Sequence, residues 1–121
     1  MRTVFAVALC FVVGACATTP DIYGIYDLVS INGESIPNDA SSSIWMEWRS
    51  DGSWTSHATV VGVPEPVVED GQSSVEDEVD GCVPFQAWGN EAPDELITGT
   101  VCDGVISGTS PEGPFVMNKR R

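Results

Sequence analysis

Few side chains in this chain are equipped for chemistry, and their spacing limits what they can do. There is one histidine, His57, with Ser56 beside it and Ser53 nearby. A serine nucleophile needs an imidazole aimed at its hydroxyl, but neighbours on a strand point to opposite faces. Gly-x-Ser-x-Gly, His-Glu-x-x-His, a phosphate-binding loop and Cys-x-x-Cys are all missing from the sequence. Acidic residues gather at Glu69, Asp70, Glu76, Asp77, Glu78 and Asp80. Calcium takes about six to eight oxygen ligands, so these carboxylates are candidates for a calcium-dependent surface module, although their spacing is not that of an EF-hand loop. The plainer expectation is a solvated edge strand whose charges discourage pairing with another chain. Glycosidase chemistry needs two carboxylates singled out across a cleft, and nothing in the spacing singles out a pair. The residues therefore point to a non-enzyme without cofactor or metal.

The cysteines carry more information. Met1-Arg2-Thr3 supplies one positive charge, Val4 to Val13 is uncharged, and Val13-Gly14-Ala15-Cys16 follows. A basic start, a short apolar run and small residues make a secretory signal, too short for a transmembrane helix of about 20 residues. Val13-Gly14-Ala15-Cys16 resembles the lipobox of bacterial lipoproteins. That resemblance implies removal of residues 1–15, acylation of Cys16, and a short tether over 16–22. It implies a lipid-anchored protein of the bacterial cell envelope. Ala17, standing where Asp would hold such a protein back, implies the outer membrane, facing the periplasm. Cys10 would leave with the signal. Cys82 and Cys102 would remain, an even pair in an oxidising compartment, which reads as a disulfide. Two buried free thiols are the alternative.

The chain has 121 residues, 18 acidic against 5 basic, with formal net charge −13; loss of Arg2 makes it −14. That length suits one domain, here 23–121. The acidity argues against nucleic acid, which needs Lys and Arg to neutralise phosphate. It permits a cationic partner or plain solubility.

Along the chain, Gly24 to Pro37 reads as a strand turning on Asn32-Gly33, with Ile25, Asp27, Val29 and Ile31 on one face and Tyr26, Leu28 and Ser30 on the other. Asn38 to Ser43 reads as a loop. Ser43 to Ser50 and Ser53 to Gly62 flank Asp51-Gly52, with Trp45 and Trp54 either paired across that hairpin or one of them half exposed. Val63 to Ser74 breaks regularity at Pro64 and Pro66, and Glu69-Asp70-Gly71 resembles a turn. Val75 to Asp80 alternates weakly. Cys82 to Trp88 is a strand in which Pro84 indicates an edge or bulge. Gly89 to Asp94 is a loop, Glu95 to Cys102 and Val105 to Thr109 flank Asp103-Gly104, and Phe115 to Met117 is last. About eight short strands at regular spacing, with no stretch of ten or more residues of helical period after the signal, predict an all-β antiparallel up-and-down meander, closed or half open as a barrel. The predicted interior is Ile25, Leu28, Val29, Ile31, Ile44, Met46, Trp48, Trp54, Val60, Phe85, Ile97, Val101, Ile106 and Phe115.

Gly24-Ile25-Tyr26-Asp27-Leu28-Val29-Ser30-Ile31-Asn32-Gly33, then Pro37, resembles the opening of small bacterial lipocalin-like lipoproteins. Asp51-Gly52-Ser53-Trp54, Thr98-Gly99-Thr100-Val101 and Phe115 to Arg120 sit where that pattern has its later elements. Gly24-x-Tyr26 is similar to the lipocalin Gly-x-Trp, which implies that Arg120 covers it as that family's late arginine does. The resemblance implies a lipocalin-like barrel that holds a small apolar ligand or serves the envelope structurally. An acidic periplasmic inhibitor of lysozyme or protease, meeting a cationic protein, is the second expectation. An open apolar interior would favour the carrier, and a packed interior with a protruding loop the inhibitor.

Overall fold

A computed structural model of the chain describes residues 21–37 and 41–121. The expected leader, Cys16 and the tether as far as Pro20 lie outside those residues, as do Asn38, Asp39 and Ala40. Nine strands run β1 (Gly24–Ile31), β2 (Glu34–Ser35), β3 (Ser41–Trp48), β4 (Ser53–Val60), β5 (Val67–Val75), β6 (Cys82–Gly89), β7 (Ala92–Cys102), β8 (Val105–Ser110) and β9 (Gly113–Lys119). Each pairs antiparallel with its neighbour, and β9 returns to pair with β1. The result is a closed eight-stranded up-and-down barrel of lipocalin-like form, with the two-residue β2 appended to β1. Closure pairs the first strand of the meander with the last, so neither is left as a fully open sheet edge.

β1 closes the ring by sharing itself. Gly24 to Asp27 pair with Trp48 to Trp45 of β3, whereas Tyr26 to Ile31 pair with Lys119 to Phe115 of β9. A register shift between Leu28 and Ser30 marks a bulge. One extra residue reverses the alternation, so Tyr26 and Leu28 face inward before it and Ile31 packs on the core after it. The strict alternation predicted for this strand fails there. Ile25 and Val29 are accordingly only partly buried, and Val60, at the far end of β4, is likewise outside the core.

The turns follow from their dipeptides. Asn32-Gly33 and Asp103-Gly104 both hold two successive positive φ angles, 52° and 83° and then 51° and 79°. This is the twist a two-residue hairpin needs. Asp80-Gly81 is a third such pair, and Val79 and Cys82 exchange backbone bonds across it. At Asp51-Gly52 only Gly52 has positive φ, and the Asp51 carboxylate accepts from the Ser53 amide at 2.8 Å.

Several sequence expectations are corrected. Ser41 to Ser43 belong to β3 rather than to a loop, Ala92 to Asp94 belong to β7, and Ile22 is core rather than tether, 5 % exposed. Glu69-Asp70-Gly71 is the middle of β5, not a turn, and the strand expected at Val75–Asp80 is mainly the β5–β6 connection. The inward positions of β5 are Glu69, Gly71 and Ser73, so no apolar alternation advertises it. Gly71 is required there because a Cβ would overlap the Trp54 ring and the Trp88 carbonyl oxygen. Pro84 sits in a strand paired on both sides, yet its ring is tolerated. Its carbonyl accepts from the Glu76 amide just beyond the last β5–β6 pair, Val75 with Phe85, so its missing N–H falls where β5 has ended.

The core is Ile22, Tyr26, Leu28, Trp48, Trp54, Val83, Phe85, Ala87, Val101, Ile106 and Met117. Ile22, Tyr26, Val83, Ala87 and Met117 were not among the residues predicted for it. Cys82 and Cys102 are direct partners across β6 and β7, with their sulfurs at bonding distance and Cα atoms 4.4 Å apart. This is the close spacing of a pair without mutual backbone bonds.

Two outcomes test this account. Gly71→Ala should cost roughly 3 kcal/mol by forcing Trp54 out of place, read as a fall in chemical-denaturation midpoint. Replacing both Cys82 and Cys102 by Ser should cost about 3 kcal/mol for the released loop, and the melting temperature should drop by ~10–20 °C.

Candidate functional site

The two ends of the barrel differ. The chain enters at one end through Asp21 to Tyr23, and that end also carries the turns at 49–52, 76–81 and 103–104 and the C-terminus. The opposite end carries the turns at 32–33, 61–66, 90–91 and 111–112.

The first end is sealed by aromatic packing. The Trp48 ring meets Tyr23 edge-on at 5.5 Å and Phe85 at 5.4 Å, and Tyr26 lies 6.3 Å away. Such tilted arrangements place ring edges on ring faces and are individually favourable. The Tyr26 hydroxyl, fully buried, donates to the Ile22 carbonyl at 2.5 Å, so Ile22 is drawn across the opening as a plug. Burial, with Asp21 nearby, pushes the Tyr26 phenol up to about 12. The Trp48 indole donates to Ser73 Oγ at 2.8 Å, which in turn donates to the Gly52 carbonyl, and the Trp54 indole donates to the Gln72 carbonyl. The wall's polar atoms are thereby satisfied.

Above this layer the interior is not filled. A cavity of about 180 Å³ stands on Trp48, Trp54, Ile106 and Met117 and is walled by Leu28, Met46, Phe85 and Ala87; Ile31, Ile97 and Phe115 line its upper part. Ser56, Ser73, Ser110 and Glu69 are its polar lining. An apolar void of similar size holds one aromatic ring. The side wall is weakest between β1 and β3. Beyond Asp27 the β3-facing edge of β1 is taken by Ile36 and β2, so among the described residues Ser41 to Ile44 have no β1 partner.

Glu69 is the one charged residue in this lining. Its carboxylate occupies the space that a side chain on Gly89 would take. Burial raises its pKa, and Glu112, Glu91 and Glu95 raise it further.

The sequence-nominated residues disperse. Glu69 turns into the barrel, whereas its neighbour Asp70 accepts from the Thr55 hydroxyl at 2.7 Å. Glu76, Asp77, Glu78 and Asp80 lie in the β5–β6 connection at the sealed end. Among the described residues no three His, Cys, Asp or Glu side chains converge as a metal site. His57 stacks on Trp45 outside the barrel, 4.1 Å between rings and 12° between planes, while Ser56 lines the cavity. The cross-hairpin tryptophan pair is Trp48 with Trp54, not Trp45 with Trp54. Arg120 does not cover Tyr26. It lies 5.3 Å over the Trp45 ring and pairs with Asp27, whose carboxyl it holds below the ordinary range. It is Lys119 that packs against Gly24, reaching the Asp21 carboxylate at 3.0 Å.

The one strong signal missed was Glu69 as an inward residue. Its pairing with Ser56, two residues beyond the inward Trp54, makes the orientation intelligible.

With its folded pKa above the unfolded value, Glu69 imposes no penalty while protonated and an increasing one as pH rises through its folded pKa. Glu69 remains exposed to solvent, which screens the effect, so Glu69→Gln should melt only slightly above the native protein near neutral pH. That advantage should vanish at a pH below the ordinary carboxylate range, as followed by circular dichroism.

Compared with protein-family models, curated proteins and solved structures, the chain matches none.

Proposed function

We propose that this protein is a non-catalytic, lipid-anchored lipoprotein of the bacterial cell envelope whose barrel holds a small apolar ligand. The apolar cavity, unfilled by the barrel's own side chains, carries the reading. Barrels of this strand number either pack their interior or enclose one small ligand, and this one leaves room. Its lining has the composition of a small-molecule pocket, mostly aliphatic and aromatic with a few polar groups.

Anchoring through Cys16 fits the same geometry. Cys16 precedes Asp21 by five residues, a reach of at most ~18 Å. A chain tethered so briefly holds its sealed end beside the bilayer and turns the cavity mouth toward the aqueous side. The cavity then draws its ligand from water rather than directly from lipid. A second acyl chain is what makes such attachment stable.

Two experiments test the proposal. Expressed with its leader, the protein should incorporate labelled palmitate and sediment with membranes, and Cys16→Ser should abolish both. The purified domain should bind 2-phenylethanol saturably, with a change in tryptophan fluorescence because Trp48 and Trp54 form the cavity floor. Ala87→Leu, which adds three carbons inside the cavity, should eliminate the change while leaving the β-sheet spectrum intact. Persistent binding in that variant would place the ligand elsewhere.

A further inference from the structure

The mouth of the cavity has a charge of one sign. The described basic residues are Arg49, Lys119, Arg120 and Arg121. Arg49 lies in the β3–β4 turn, and the other three lie at or beyond the end of β9, so all four stand at the sealed end. The mouth end carries Glu34, Glu65, Glu69, Glu91, Asp94, Glu95 and Glu112, with no Lys or Arg among the described residues.

The order of the strands brings four of these acids to one side of the opening. Glu69 lies on β5 in the cavity lining, and Glu91 lies in the two-residue turn between the paired Gly89 and Ala92 that joins β6 to β7. Glu95 lies near the start of β7, and Glu112 lies in the turn between the paired Ser110 and Gly113 that joins β8 to β9. Strands β5 to β8 are consecutive around the barrel. Among the described residues Glu69 has no ion-pair partner, since the two ion pairs there use Lys119 and Arg120. The upward displacement of its pKa by burial and by Glu112, Glu91 and Glu95 agrees with this crowding.

We infer that the ligand is an amphipathic cation: a body of about one aromatic ring or six carbons in the cavity, with a protonated amine at the mouth against Glu69. This rests on the cavity-binding reading and names the ligand's chemistry. The apolar floor accepts the body, and the carboxylate at the cavity's upper wall is placed to accept charged N–H groups. Glu91, Glu95 and Glu112 raise the local concentration of cations before the ligand docks. An anionic amphiphile such as a fatty acid would meet the same carboxylates as repulsion.

The test compares three probes of nearly equal shape on the purified domain by isothermal titration calorimetry: 2-phenylethylamine, 2-phenylethanol and 3-phenylpropionate. At low ionic strength the amine should bind about tenfold more tightly than the alcohol, the gain of one charge-assisted contact, and the carboxylate more weakly than either. Added salt should narrow the amine preference. Glu69→Gln, checked for a native sheet spectrum, should bring the amine-to-alcohol ratio near one, and Glu112→Gln should lower it partway. The preference should also fall as pH drops through the Glu69 pKa, because a protonated carboxyl no longer attracts the amine. Alcohol and amine binding equally, or a ratio unmoved by Glu69→Gln, would overturn the inference while leaving the apolar cavity reading intact. Failure of all three probes to bind would overturn the cavity reading itself.

Discussion

Closure through β1 is the constraint on which the rest of this molecule depends. A meander of eight strands becomes a barrel only if its first and last strands meet, and here the first strand must also hold β3. Its β3-facing edge is shared, because beyond Asp27 Ile36 and β2 occupy it. β1 offers its first half to β3 and its second half to β9, overlapping at Tyr26 and Asp27. The bulge between Leu28 and Ser30 keeps the inward face apolar on both sides of the handover. Arg120, donating its amide to the Ile25 carbonyl and its side chain to Asp27, extends the β1–β9 seam beyond β9. That ion pair is exposed and of modest value alone. Its role is geometric, because it fixes the end of the chain to its beginning.

Everything inward of that seam grades from packed to open. At the sealed end large rings lie against one another and the polar atoms they bring have partners. At the other end inward positions fall to Gly89, Gly108, Ser110 and Glu69, small or charged residues that cannot fill a barrel. The difference is one of side-chain volume on a fixed frame. The strands continue past the point where the sequence supplies bulk to fill them, and the cavity is the remainder. Gly71 belongs to the same economy, since its missing side chain lets the Trp54 ring lie flat against β5 and form a floor.

Much of this frame was legible in the amino-acid order. Asn32-Gly33 and Asp103-Gly104 announce their turns because few residues tolerate two successive positive φ angles, and strands β3, β4, β6, β8 and β9 alternate clearly enough to be placed. The cysteine pair follows from counting, and it falls in register. β5 was hidden for a physical reason: its inward residues are a carboxylate, a glycine and a serine, so the barrel's interior is not apolar there. The inward side of β1 was misjudged because a bulge leaves no mark in composition. Tyr26 was missed as core because its hydroxyl is satisfied by a backbone carbonyl four residues earlier, a partner only the fold can show. The cavity was legible only as a possibility of the barrel class, since emptiness is a property of volumes across strands distant in sequence.

The site also lies where the barrel is least tied together. Around the sealed end a buried hydroxyl, rings packed edge to face and both ion pairs of the described residues converge. Toward the mouth, β1 leaves β3, the β4–β5 loop carries the exposed Val61 and Val63, and the acidic residues stand without a Lys or Arg among the described residues. Regions with few buried contacts and unpaired backbone open at lower free energy than the core. The proposed ligand would pass through such a region, so that binding and rigidity would be divided between the two ends. The acidic residues make the same division. Neutralising partners are spent where the chain must close, and the carboxylates at the mouth keep their charge exposed to whatever arrives from solution. Self-repulsion there lowers the stability of the free barrel. On the proposed reading, a cationic occupant that relieves it would gain affinity from the relief, so the end of the barrel with the fewest ties would be the end that selects its ligand.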